Sequence, residues 1–160
     1  MYIRKATEQD IPRMMEIFAL ARAFMAEHGN PNQWAEDYPA KERLQEDIRK
    51  DSSFVCMEAD RIVATFVLCG GADPTYDKIY DGAWTNDLPY ATIHRIASSG
   101  EVSGIFEETM RFALQHYQTI RVDTHRDNVV MQQALEKMGF VYCGLIHCWN
   151  GDERLAYQYH

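Results

Sequence analysis

Apolar positions recur at helical spacing in two early segments of the chain and fall into alternating or short continuous runs elsewhere. Residues 2–5 read as a short strand. Asp10 is placed to cap a helix, with Pro12 in the first turn, where its missing N–H costs nothing. That helix is expected to run to about Glu27 and to bury Met14, Ile17, Leu20, Ala21 and Phe24. The sequence His28-Gly29-Asn30-Pro31 ends it. An irregular link over residues 32–39 carries Trp34 and Tyr38, and a second helix is predicted over about 40–50, with Leu44 and Ile48 on one face. Residues 54–57 and 62–68 read as two strands joined by a hairpin turn. A long loop then spans 70–89. Loops beyond about 12–15 residues in compact domains are usually functional or disordered. Tyr76, Tyr80 and Trp84 argue against disorder and for a segment packed over a ligand.

From Tyr90 onward the pattern alternates between strand and helix. A strand over 90–97 leads through the glycine-bearing loop Ser98-Ser99-Gly100-Glu101-Val102-Ser103-Gly104-Ile105-Phe106 into a helix over 107–117. A strand at 120–124 precedes a helix from 127–128 to about 138, and a final hairpin pairs 141–149 with 153–159 around Asn150-Gly151. A strand that enters a helix through a Gly-containing loop aims unpaired backbone N–H groups at one point, where an anion can sit. The element order is therefore β–α–α–β–β–β–α–β–α–β–β, with no repeat, low-complexity stretch or linker to divide the chain; one domain over 1–160 is expected.

Composition narrows the function. Apolar residues make up 46% and charged residues 25%, an ordinary globular balance. No stretch approaches the ~20 apolar residues of a membrane span, and the N-terminus lacks a signal-peptide core, so a cytoplasmic protein without membrane partners is expected. Cys56, Cys69, Cys143 and Cys148 form no C-x-x-C pair and no zinc-spaced cluster, which reads as free thiols and no metal. The net charge is −8, and no Lys/Arg cluster stands out to bind nucleic acid. An acidic surface favours cationic ligands at long range.

Three segments together resemble the GNAT superfamily of acetyl-CoA-dependent N-acetyltransferases. The loop Glu101-Val102-Ser103-Gly104-Ile105-Phe106 stands where that family carries R/Q-x-x-G-x-G/A; Gly104 matches, while Glu101 and Phe106 depart from the pattern. The run Asn128-Val129-Val130-Met131-Gln132-Gln133-Ala134-Leu135-Glu136-Lys137-Met138-Gly139-Phe140 matches the family's second element, except that Leu135 replaces a frequent Tyr. Ile3-Arg4-Lys5-Ala6-Thr7, followed by Asp10-Ile11-Pro12, resembles its opening. The resemblance covers essentially the whole chain. It implies an α+β fold of three layers: a mixed, mostly antiparallel sheet of about seven strands flanked by about four helices.

The resemblance also implies where the chemistry lies. The pyrophosphate of acetyl-CoA would rest on Val102, Ser103, Gly104, Ile105 and Phe106, through backbone N–H groups and a helix dipole. Glu101 would bring a negative charge there that must be offset or turned outward. Ile96 and Ala97 would contact the pantetheine arm where the 92–97 strand splays from the 120–124 strand, and a strand amide would stabilise an oxyanion. Asn128 and Met131 would complete the cofactor contacts; Asn128 is equally suited to cap its helix. The expected reaction is direct attack by a primary amine of a small molecule or peptide. His94 and His125 are the candidates for proton transfer, with Asp123 placed to orient either. Arg95, on the opposite face from His94, is expected to pair with an acid. The family's general acid is the Tyr that Leu135 replaces, which leaves that role open. Trp34, Tyr38, Tyr80, Trp84 and Tyr90 are the candidate walls for the acceptor. A homodimer is admitted. The alternative is a non-catalytic acyl-CoA-binding or sensor module of the same fold.

Overall fold

The computed structural model describes residues 1–35 and 37–160. Its elements are β1 (Tyr2–Lys5), α1 (Ile11–Glu27), α2 (Lys41–Arg49), β2 (Ser53–Glu58), β3 (Arg61–Gly70), β4 (Ala91–Ser98), α3 (Ile105–Leu114), β5 (Ile120–Thr124), α4 (Val129–Lys137), β6 (Val141–His147) and β7 (Glu153–Tyr159). The strands form one sheet in the order β1-β2-β3-β4-β5-β7-β6. Every neighbouring pair is antiparallel except β4 and β5, which are parallel. Seven strands and four helices in this arrangement agree with the architecture expected from the sequence.

The sheet is covered on both faces. Helices α3 and α4 bury Ile105, Met110, Ala113 and Leu135 in a cluster with Phe66, Ile93, Ile120 and Tyr157. Helices α1 and α2 bury Met14, Ile17, Phe18 and Leu44 in a second cluster with Val55, Met57 and Ala97. The buried stripe of α1 is rotated from the expected one: Ile11, Met14, Ile17, Phe18 and Ala21 face the sheet, whereas Leu20 and Phe24 are exposed. Positions 14, 17, 18 and 21 hold a tighter 3–4 spacing than a stripe through 20 and 24. Phe24 instead stacks on His28, with ring centroids 3.9 Å apart. Asp10 turns its carboxylate back to Arg4, at 2.8 Å, and to the Thr7 amide, at 2.7 Å, within a 3₁₀ turn over Glu8–Asp10.

Two irregularities shape the centre of the sheet. β4 and β5 pair only at Ala91↔Ile120 and Thr92↔Arg121, and then diverge. On its other side β4 bulges against β3: Val67 pairs with His94 and Thr65 with Ala97, so Arg95 and Ile96 together face the single residue Phe66. Arg95 takes the extra turn with φ of +49°, a left-handed conformation that is rare for a long side chain. The 71–90 connection does not float. Tyr76 is buried at its root, and Tyr80 forms an isolated bridge with Leu145 of β6. No helix is long and apolar enough to cross a membrane among the described residues.

Candidate active site

Because β4 and β5 part after two residues, the middle of the sheet opens into a cleft of about 610 Å³. β4 contributes His94, Arg95 and Ile96 to its wall, and β5 contributes Asp123 and Thr124. The beginning of the long loop, from Gly70 to Thr75, supplies another side, so the first part of that loop does border the cleft. Asn128 and Met131 reach it from the start of α4.

The loop before α3 has the features of an anion cradle. The Glu108 amide is the first to bond back within the helix, to the Gly104 carbonyl, leaving the amides of residues 105–107 without intrahelical acceptors. Gly104 holds φ at +79°, and a Cβ there would meet no protein atom within 4 Å. The glycine is thus required by backbone conformation. Glu101 is offset by two cations, Arg13 at 2.7 Å and Arg61 at 2.8 Å. The Ser99 hydroxyl, then these guanidiniums, hold its carboxyl below the usual range. Phe106 is partly buried and packs against the core beside Phe140, with ring centroids 6.3 Å apart. Asn128 accepts from the Met131 amide at 3.1 Å and also lines the cleft, so capping and cleft contact coexist in one residue. Ala97 is buried against α1 and pairs with Thr65. Leu135 is fully buried in the core and reaches no cleft wall.

The acid–base groups sort into pairs that the sequence did not disclose. His94 Nε2 lies 3.0 Å from Asp73 Oδ2. Burial alone would raise Asp73, but hydrogen bonds from His94 and from Thr75 outweigh it and bring the carboxyl down to about 2. Asp123 accepts a 2.6 Å hydrogen bond from the Tyr76 hydroxyl, so its partner is this tyrosine and neither histidine. Burial, reinforced by Asp123, pushes Tyr76 well above the ordinary phenol range. The Cys148 thiol, also on the cleft wall, is pushed up to about 11 by burial and then by Asp123. His125 sits just beyond β5, outside the cleft lining. Its Nδ1 accepts from the Asp127 amide at 3.0 Å, and the Asp127 carboxylate lies 3.6 Å away.

At the opposite end the link between α1 and α2 closes the cleft with Trp34 and Tyr38, whose rings are 5.9 Å apart. Arg95 enters a buried ion pair with Asp47 of α2 at 2.7 Å, and its other terminal nitrogen donates to the Tyr38 hydroxyl at 3.3 Å. Burial would lower the guanidinium, yet Tyr38 and Asp47 hold it above its usual value. Gln33 Oε1 accepts from the Asn128 side chain at 3.0 Å and from the His125 amide at 3.3 Å, tying this link to β5 and α4. The other three candidate walls lie elsewhere. Trp84 and Tyr90 sandwich the Arg121 guanidinium at 4.1 and 4.0 Å, and Tyr80 stacks on His147 at 4.7 Å. They anchor the long loop to the far half of the sheet, the commoner fate of aromatics in loops.

Sequence reasoning missed Asp73, Tyr76, Asp47 and Gln33. Asp73-Pro74-Thr75 did carry a signal: an Asp before Pro with a Thr two residues on is a turn cap. Here Asp73 Oδ1 accepts from the Thr75 amide at 2.9 Å and from its hydroxyl at 2.7 Å. Asp47 and Gln33 have no local signature, because their partners come from distant elements.

A mixed seven-stranded sheet split between its fourth and fifth strands is the arrangement that the acyltransferase resemblance implies. Solved structures carry the likeness further. A GNAT-family acetyltransferase from Streptococcus agalactiae is 34% identical, with a TM-score of 0.85 over 98% of this chain and 93% of that one. The chain belongs to the GNAT family of acetyltransferases. A GNAT-family acetyltransferase from Listeria monocytogenes shares the fold at 19% identity, with a TM-score of 0.71 over 99% and 93% of the two chains. So does a ribosomal-protein-alanine N-acetyltransferase from Brucella melitensis, at 16% identity and a TM-score of 0.61 over 99% of each. Neither a family model nor a curated protein matches the sequence.

Proposed function

We propose that the chain is an N-acetyltransferase that moves an acetyl group from acetyl-CoA to a primary amine of a small molecule or peptide by direct attack. The observation that carries this reading is the cleft itself: a gap between β4 and β5, bordered by His94 and Asp123. The residues present fit acetyl-CoA. The unpaired amides at the start of α3 suit a pyrophosphate, and the charge of Glu101 is already matched by Arg13 and Arg61. Val102, Ser103, Gly104, Ile105 and Phe106 would hold the phosphates through backbone groups, and Ile96, Asn128 and Met131, which line the cleft, would border the arm, whereas Ala97 is turned into the α1 side of the core. Bound there, acetyl-CoA supplies a thioester carbonyl open to an amine.

The protein's own groups then bind and deprotonate the acceptor. Trp34 and Tyr38 offer aromatic walls for an alkylammonium. His94 is the base, since it borders the cleft and has a carboxylate partner, whereas His125 lies beyond the lining. Alkyl amines are mostly protonated at neutral pH, so a base near the cleft is needed before attack. The reading places the enzyme in the cytoplasm, with the amine acceptor as its partner.

Free-thiol release from acetyl-CoA over a panel of amines tests this. His94→Ala is expected to lower turnover about a hundredfold or more while changing acetyl-CoA affinity, read by thermal shift, by less than about threefold. Binding of acetyl-CoA with no turnover on any amine would favour the sensor reading instead.

A further inference from the structure

We infer that Asp73 is a positioning residue that fixes His94 as its Nε2–H tautomer and so leaves Nδ1 as the atom that takes the amine proton. The inference rests on the reading of His94 as the base, and it adds a residue from outside the three segments that carry the family resemblance. Each oxygen of the Asp73 carboxylate has a separate task. Oδ1 accepts from the Thr75 amide and hydroxyl, and Oδ2 faces His94 Nε2 at 3.0 Å. The Asp73 amide donates to the Tyr90 hydroxyl at 2.8 Å, which pins the turn to the base of β4. Asp73, held at about 2, is an anion at any working pH and can only accept. The proton between the two groups therefore belongs to Nε2, and the neutral ring carries its lone pair on Nδ1. His94 Nδ1 has no hydrogen-bond partner among the described residues.

The proton balance is simple. The amine nitrogen loses one proton, Nδ1 gains it, and Nε2 keeps its own. The imidazolium that forms stands beside an existing carboxylate, which compensates the new charge without becoming protonated. The neighbouring pair is complementary. The Tyr76 hydroxyl donates a hydrogen bond to Asp123, so that carboxylate is engaged and does not compete for His94. The ring of Tyr76 lies 6.4 Å from that of His94 and tilted to it.

The test compares Asp73→Asn with Asp73→Ala. Asn must keep its carbonyl oxygen on Thr75, so it presents an NH2 to His94. That turns Nε2 into the acceptor and moves the proton to Nδ1. Ala removes the turn cap but leaves the ring free to choose its tautomer. A merely structural role predicts that Asn is the milder change, because Asn caps turns well. Positioning predicts the reverse: kcat falls about a hundredfold or more in Asp73→Asn and less in Asp73→Ala, with acetyl-CoA affinity similar in both. An independent readout needs no substrate. In ligand-free protein with 15N-labelled histidine, the His94 signals, assigned by their loss in His94→Gln, should report Nε2–H in the wild type and Nδ1–H in Asp73→Asn. A wild-type Nδ1–H tautomer, or an Asn variant more active than the Ala variant, overturns the inference and leaves the role of His94 standing. Full turnover in His94→Ala overturns the base assignment, and the inference with it.

Discussion

At Gly104 the backbone turns left-handed just before α3, with φ of +79°. A Cβ in that conformation crowds its own carbonyl, whatever space surrounds it, at a cost of about 1–2 kcal/mol. Gly104→Ala is therefore expected to lower unfolding free energy in urea by about 1 kcal/mol, although the added methyl touches nothing. Residue identity was readable here because a left-handed turn leaves a glycine in the sequence. The same is true of Asn128, whose oxygen caps α4 from the position its motif predicts. Asp73 and Asp47 were not readable as site residues. Asp47 sits in a helix whose neighbours are charged, and only the packing of α2 shows that it is buried against Arg95.

Strands and helices were legible wherever one face is wet and the other dry, since the spacing of apolar residues then reports the element directly. The bulge in β4 was not. Nothing in Thr92-Ile93-His94-Arg95-Ile96-Ala97 departs from a regular strand, yet Arg95 occupies a left-handed turn and its side chain reaches Asp47, bringing it to the same cleft as His94. Strict alternation puts adjacent residues on opposite faces; the inserted residue breaks that rule. The ion pair that results joins β4 to α2 and is more than nine-tenths buried on both sides. Removing one partner leaves an uncompensated charge in the interior, at a cost of about 3–5 kcal/mol. Asp47→Ala should lose stability on that scale in chemical denaturation, and adding Arg95→Met should recover part of it. A double variant no more stable than the single one would show that the pair does not carry the link.

For the molecule as a whole, the acidic composition, taken alone, described only a surface, whereas the structure locates carboxylates whose charge the fold uses. Asp10 is depressed mainly by the Arg4 hydrogen bonds, which outweigh its burial, and Asp73 is held at about 2. Folded values below the unfolded ones mean that the native state binds protons less readily. The stabilisation is present above the ordinary carboxylate range and is lost as pH falls toward the folded values. Asp73 alone contributes on the order of 2 kcal/mol by this linkage. Urea titrations are expected to show stability falling between pH 4 and about pH 2, and Asp73→Asn should flatten that slope. The order of elements was legible at this scale, but the cleft depends on where β4 and β5 stop pairing, which no local pattern encodes.

The divergence of those two strands has another consequence. Exposed strand edges invite pairing with other chains, and proteins usually guard the outermost strands of a sheet. This sheet has two further edges in its interior, created where β4 and β5 part. They are sheltered by position: β3 and β7 lie on their outer sides, and helices cover both faces. A narrow, flexible arm can enter such a gap, while another sheet cannot. The architecture leaves strand edges inside the sheet without presenting them to the edge of another sheet.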